Sequence, residues 1–273
     1  MKIAIFYTSY RQFRELEWTP EFFRRNRRLS SEIDVIYHCN NAGISKGELQ
    51  ARLAKIPCKS MTLLHHPCNE GGYAYGQFEA ICDAWETLHS GGWDWVIHLH
   101  PDIFITDGDR LLKTIEEAGE EVSLITAPVF GLTEPAYGTT FFAFRPGRMP
   151  KEVFGCYVDF VGEPIVVPLE NLFFTEVHRQ KVAVKSVMQY RGGVHFYDPD
   201  HVGLWHEHNL ERVPLYLREP GLRWKVTRRK VLGHPLAALT TLRSWLRRRR
   251  QGIAQDSLAQ YLTFVGSEKR ENA

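Results

Sequence analysis

Four short apolar runs, KIAIFY (2–7), IDVIYHC (33–39), SMTLLHH (60–66) and WDWVIHL (93–99), each end in polar residues, with helically spaced segments between them. Runs of this length suit buried strands better than helices. ELQARLAKI (48–56) has helical spacing, and a second helix is expected over about Gln77–His89. Strands alternating with helices predict an α/β domain with a mostly parallel central sheet and helices on both faces. Such sheets bind ligands at the carboxyl ends of their strands. The residues to inspect are therefore Tyr7 to Tyr10, His65 to Gly76 and His98 to Asp102.

The later segments have a different pattern. EVSLITAPVF (121–130) and TTFFAFRPG (139–147) are strand-like and flank the turn-rich GLTEPAYG, which predicts an antiparallel or mixed addition to the sheet. PLENLFFTEVHRQK (168–181) places Leu169, Leu172, Phe173 and Val177 on one helical face, with Glu170 in the first turn, where the helix dipole favours an anion. There is no internal repeat, and the only low-complexity segment is an arginine run.

At 273 residues, 44% apolar and 24% charged, the chain has the composition of a globular protein with a sizeable core. Its five cysteines, Cys39, Cys58, Cys68, Cys82 and Cys156, are scattered with no C-x-x-C pair. They read as free thiols in a reducing compartment rather than a disulfide framework or a cysteine zinc site. The N-terminal MKIAIFYTSY is too short and polar for a signal peptide, and no window approaches the roughly eighteen apolar residues of a membrane span. A cytoplasmic protein is expected.

Charge is unevenly distributed. Residues 218–250 hold eleven of the 34 Lys/Arg and a single acid, Glu219, which leaves 31 acids against 23 bases elsewhere. From Leu236 the apolar residues recur at three- and four-residue intervals and end in four arginines, Arg247 to Arg250. A basic amphipathic helix of this kind can dock on an anionic membrane surface, on the cytoplasmic membrane's inner face in a cytoplasmic protein, or pack on the acidic body of the chain. Nothing matches a nucleic-acid recognition motif, so no nucleic acid is expected as a partner.

The strand WDWVIHL runs into His100, Pro101 and Asp102. A buried, unpaired carboxylate costs several kcal/mol, so Asp102 needs a cation at the strand end. Upstream, NEGGYAYGQ (69–77) reads as a glycine-rich loop opening a helix, whose free N–H groups suit an anion; it matches neither a P-loop nor a dinucleotide fingerprint.

The order of these elements over residues 1 to about 210 resembles the GT-A glycosyltransferases, particularly the family 2-like enzymes that build bacterial polysaccharides and lipid-linked glycans. In those enzymes such a loop precedes a strand ending in D-x-D or N-P-D; here the strand ends in HPD. The resemblance implies a Rossmann-like GT-A domain over 1–213, with a nucleotide-sugar half (1–107) and an acceptor half (108–213), followed by a basic appendage (214–273). It implies a nucleotide-diphosphate sugar as donor and a glycan or lipid-linked acceptor. Tyr7, Thr8, Ser9, Tyr10, Asn69, Gly72, Gly76, Gln77 and His100 would contact the donor, the two tyrosines by stacking on its base.

By the same resemblance Asp102 binds a divalent metal on the diphosphate, with His206 or His208 returning to it from the C-terminal side. His100 replaces the usual first aspartate and either ligates, which favours Mn2+ over Mg2+, or only hydrogen-bonds the donor. A zinc site of His206, His208 and Asp200 is the rival. Glu170 is the expected base of an inverting reaction, with Asp198 and Glu134 behind it, and a retaining reaction would leave it no such duty. Tyr73, Tyr75 and Tyr137 are candidates for a sugar or acceptor surface. Two alternatives stay open: a sugar-phosphate nucleotidyltransferase, which would carry a glycine-rich loop after its first strand where this chain has YTSYRQF, and a non-catalytic sugar- or membrane-binding relative.

Overall fold

The computed structural model describes residues 1–10, 13–41, 43–66, 68–129, 136–161, 167–187 and 202–218. The chain divides after Val213 into two units, and the second is described only from Pro214 to Arg218. Expectations for Glu134, Asp198, Asp200 and residues 219–250 lie outside the described residues, as does the side chain of Tyr73.

Strand β1 (Ile3–Ser9) is buried along its whole length, as its β-branched and aromatic sequence requires. It pairs in parallel with β2 (Asp34–Cys39) on one side and β4 (Trp95–Leu99) on the other, and β3 (Ser60–His65) lies parallel beyond β2. Past β4 the sheet is mixed. β7 (Ala136–Phe144) runs antiparallel to both β4 and β6 (Leu124–Val129), and β8 (Val184–Ser186) lies parallel to β6 at the edge. The seven-stranded order is β3-β2-β1-β4-β7-β6-β8. The fold is α/β, with a mostly parallel sheet and an antiparallel insertion, as the sequence pattern predicts.

Strand alternation gives the two faces different cores. Ile5 and Tyr7, Val35 and Tyr37, and Ile97 and Leu99 point to one face, where α1 (Thr19–Arg25), α2 (Arg27–Glu32), α3 (Lys46–Leu53) and α6 (Gly108–Glu116) supply Phe23, Leu29, Leu49, Leu53, Leu111 and Ile115. The other face is aromatic. Phe142 and Phe144 meet α5 (Trp85–Ser90), α7 (Glu152–Gly155) and α8 (Leu169–Arg179) through Trp85, Phe154 and Phe173, and α4 (Gly72–Asp83) joins the last two through Phe78. Phe78 stands edge-on to both Phe154 and Phe173, with ring centres 5.4 Å apart in each case. Such pairs add to the burial of area alone.

Two elements differ from their sequence reading in ways that affect the site. β1 continues through Thr8 and Ser9, so these residues are sheet rather than loop. Helix α4 starts at Gly72, so the expected glycine loop forms its first turns, and the helical stretch breaks at Ala84. The cause lies within the helix: the buried Glu79 carboxylate accepts the N–H groups of Glu70 at 2.9 Å and Gly71 at 2.8 Å, satisfying donors that a helix start leaves open. Gly76 serves close approach, since a Cβ there would lie 2.4 Å from Asn69 Oδ1.

A two-stranded antiparallel ribbon of β5 (Ile103–Ile105) and β9 (Leu204–His206) lies beside the main sheet and sets Ile103 opposite His206. Gly203, at φ +69°, turns the chain into β9; its carbonyl accepts from Thr106 at 2.8 Å and Asp107 at 3.1 Å. Asn26 ties the ribbon to the body: its amide donates to the Phe22 and Ile105 carbonyls, both at 2.8 Å, and its oxygen accepts from Gly108 at 2.6 Å. The last described element is α9 (Val213–Arg218), and among the described residues no helix is long and apolar enough to cross a membrane.

Candidate metal centre at the strand ends

The parallel strands β1 to β4 end on one side of the sheet, and the chain leaving β4 carries His100 and Asp102 there. Backbone bonds fix this exit: His100 N–H donates to Thr140 O at 3.1 Å, and Ile103 N–H to His100 O at 3.0 Å. β9 arrives alongside, with Glu207 N–H donating to Asp102 O at 3.1 Å. His206, the last residue of β9, and His208, in the bend just after it, both meet Asp102. His206 Nε2 lies 3.2 Å, and His208 Nδ1 3.0 Å, from Asp102 Oδ2.

Asp102 and His206 are buried, whereas His208 is exposed. The two imidazoles are edge-on, with centres 4.3 Å apart. Burial would raise the Asp102 pKa, but hydrogen bonds from His206 and His208, with the charge of His206, outweigh it and hold the carboxyl well below the ordinary carboxylate range. Its second oxygen, Oδ1, is buried with no hydrogen-bond partner among the described residues. A buried carboxylate oxygen left open beside two imidazoles, with one ligand atom from each residue all within 4.8 Å of one another, fits a divalent cation. Nitrogen from two histidines favours Mn2+ or another transition metal over Mg2+.

His100 is not part of this group. Its Nε2 lies 2.8 Å from Gln77 Oε1, and burial lowers its pKa to about 4, with the opposing pull of Asp102 and the push of His206 and His208 secondary. It is a neutral imidazole at physiological pH. From Gln77 the contacts continue: its amide donates to the Thr139 carbonyl, and the Thr139 hydroxyl donates to Glu170 Oε1 at 3.4 Å. Glu170, half-buried in the first turn of α8, is thus joined to the end of β4 through Gln77 and Thr139.

The other candidates separate into reachable and buried groups. Asn69 and Gly76 meet through Asn40, whose amide donates to Asn69 Oδ1 at 3.3 Å and Gly76 O at 3.0 Å. Tyr10 is half-buried at the exit of β1, where its carbonyl accepts from Asn41 at 2.5 Å. Tyr7 must be corrected: it is 2% exposed, packed on Tyr37 in the core, and has no face to offer a base, because its strand position points inward. Thr8 and Ser9 are also buried, and the Thr8 hydroxyl meets His98 Nε2 at 2.9 Å. Tyr137 is buried and bonded to His178 at 3.3 Å, so it lines no acceptor surface. Tyr75 is buried as well; its hydroxyl bonds the Val167 N–H and carbonyl, both at 3.2 Å, and Gly72 opens α4.

The sequence reading passed over three residues. Asn40 follows β2 directly, so the strand-end rule applied to that strand would have found it. Thr139 has no signal of its own, being one threonine of a β-strand. Glu15 sits in a short turn whose sequence, RELEW, looks solvated; yet its Oε2 is buried with no hydrogen-bond partner among the described residues. Burial first, and then the charge of Asp102, raise its pKa, against hydrogen bonds from the backbone and the charge of Arg14.

No protein-family model matches this sequence, and no curated protein does. Among solved structures the chain is similar to a nucleotide-diphospho-sugar transferase from Desulfovibrio desulfuricans G20, with a TM-score of 0.48 and 13% identity over 69% of this chain and 80% of that one. It is similar to the apo glycosyltransferase GlyE of Streptococcus pneumoniae TIGR4, with a TM-score of 0.44 and 13% identity, covering 68% of this chain and 45% of that one. It is also similar to apo mouse xyloside xylosyltransferase 1, with a TM-score of 0.45 and 10% identity, covering 76% and 97%.

Proposed function

We propose that the chain is a metal-assisted glycosyltransferase of GT-A type that moves a sugar from a nucleoside-diphosphate donor to a hydroxyl of a glycan or lipid-linked acceptor. The observation that carries this reading is the convergence of Asp102 with His206, 104 residues on in sequence, and with His208, at the strand ends of an α/β sheet. A divalent cation, with Mn2+ favoured, would there neutralise the charge that develops on a departing diphosphate. Residues 1–213 form the catalytic domain in this reading, and 214–273 a basic appendage.

The residues divide the work. Asp102, His206 and His208 hold the cation on the diphosphate side. His100, kept neutral by burial, offers hydrogen bonding rather than charge and is oriented by Gln77. Asn69, positioned by Asn40, and Tyr10 border the donor's approach. Glu170 takes the proton of the attacking hydroxyl as its oxygen bonds the anomeric carbon and the bond to the diphosphate breaks, which inverts that centre. The Thr139 bond aims Glu170 at this task.

The test is donor hydrolysis and transfer across a panel of nucleotide sugars, with and without Mn2+, read as released nucleoside diphosphate. We expect metal-dependent turnover of one donor, abolished in Asp102→Asn without loss of thermal stability. Glu170→Gln should lower transfer by about 10²–10⁴ while leaving donor binding intact. Turnover in Asp102→Asn equal to the parent, or neither binding nor turnover of any donor, overturns the assignment.

A further inference from the structure

A second group of metal-ligating side chains lies away from Asp102, where β2 and β3 end beside α4. His66, Glu79 and Asp83 each offer a ligand atom, all within 4.8 Å of one another. One more imidazole borders Asp83. His38, on β2, is 1% exposed; its Nε2 lies 3.6 Å from Asp83 Oδ2, and its Nδ1 has no hydrogen-bond partner among the described residues. His66 Nδ1 lies at the same 3.6 Å from that oxygen.

These separations are informative. At 3.6 Å neither imidazole makes a normal hydrogen bond to Asp83. A tetrahedral ion with bonds of 2.0–2.1 Å holds its ligands about 3.3 Å apart, close to what is observed. Glu79 is already oriented by the Glu70 and Gly71 N–H groups at 2.9 and 2.8 Å, the kind of outer bond that typically fixes a metal ligand. An imidazole beside two carboxylates suits a borderline cation such as Zn2+ better than Mg2+ or Ca2+.

We propose that His66, Glu79 and Asp83 form a structural site for a divalent transition metal, Zn2+ by its donor set, beside His38 and separate from the Asp102 centre. The ion clips the end of β3 to the C-terminal half of α4. That fixes the intervening segment carrying Asn69, whose place beside Gly76 and Asn40 the site would otherwise hold by weak polar contacts alone. The inference does not depend on the transferase reading.

The experiment uses the full chain, stripped with chelator and titrated with Co2+ or Zn2+ alone. An Asp102→Asn/His208→Ala background removes the first centre, so whatever binds there reports on the second. We expect this variant to keep one equivalent of Co2+ per chain, with tetrahedral visible bands lacking thiolate charge transfer, and to melt at a higher temperature with Zn2+. Adding His66→Ala and Asp83→Ala, both exposed positions, should abolish the equivalent and the thermal shift while the circular dichroism spectrum is unchanged. No metal bound in the background variant, retention of the equivalent after both added substitutions, or a thiolate band from Cys68 or Cys82 overturns the proposal. Absence of donor turnover in the parent chain, with this stoichiometry intact, overturns only the transferase assignment.

Discussion

His98 shows how one buried side chain sets a condition on the fold. It is enclosed between β1 and β7, bonded to Thr8 and stacked on Phe142 with ring centres 4.5 Å apart, and burial holds its pKa well below 6.5, with the charge of His100 adding to it. The native state therefore keeps His98 neutral, whereas the unfolded chain protonates it as pH falls through about 6.5. The unfolded state then binds more protons, so stability is fully present above that pH and is lost below it, at up to about 1.4 kcal/mol per pH unit. Urea unfolding of the parent and of His98→Gln, compared between about pH 7.5 and 5, should show a shallower acid loss in the variant. Parallel pH profiles would remove His98 from the account. None of this was visible in WVIHL, where a histidine inside an apolar run looks the same whether it faces a threonine or a ligand.

Among elements, the β5/β9 ribbon decides whether the site exists at all. Gly203 makes the turn at φ +69°, where a Cβ would lie 2.0 Å from the Asp107 carbonyl oxygen. Gly203→Ala must therefore distort the entry to β9, and we expect a loss of more than about 1 kcal/mol together with weaker metal binding at Asp102. Thermal melting and Mn2+ titration check both; an unaltered metal affinity would show that the ribbon's register does not set the centre. The strands of the parallel half were legible because each is a short apolar run closed by polar residues. The start of α4 was not legible, because the residue that caps it, Glu79, lies inside the helix it stabilises, and glycines that read as a loop serve packing against Asn69.

For the whole molecule, the uneven charge is the property that remains to be used. Residues 218–250 lie almost wholly outside the described part of the chain, so their role is an expectation from sequence. The full chain should sediment with vesicles containing anionic lipid and be released as salt is raised, and a chain ending at Arg218 should not. Equal binding to neutral vesicles, or binding by the shortened chain, would assign the basic segment to packing instead.

The sequence by itself determined the α/β class, the order of the four parallel strands β1 to β4, and the polarity that sends Asp102 to a strand end, because these depend on local periodicity and on the cost of burying a charge. It also named His206 and His208 as partners for Asp102, through a family resemblance rather than by derivation. Tertiary structure alone decided which residues face inward: Tyr7 and Tyr137 went to the core, and His100 to Gln77. It alone decided that Glu170 is joined to the site through Thr139, that His66, Glu79 and Asp83 meet, and that His38 lies against Asp83. Those contacts span up to 45 residues of sequence and arise from strand register and helix packing, which no local pattern encodes.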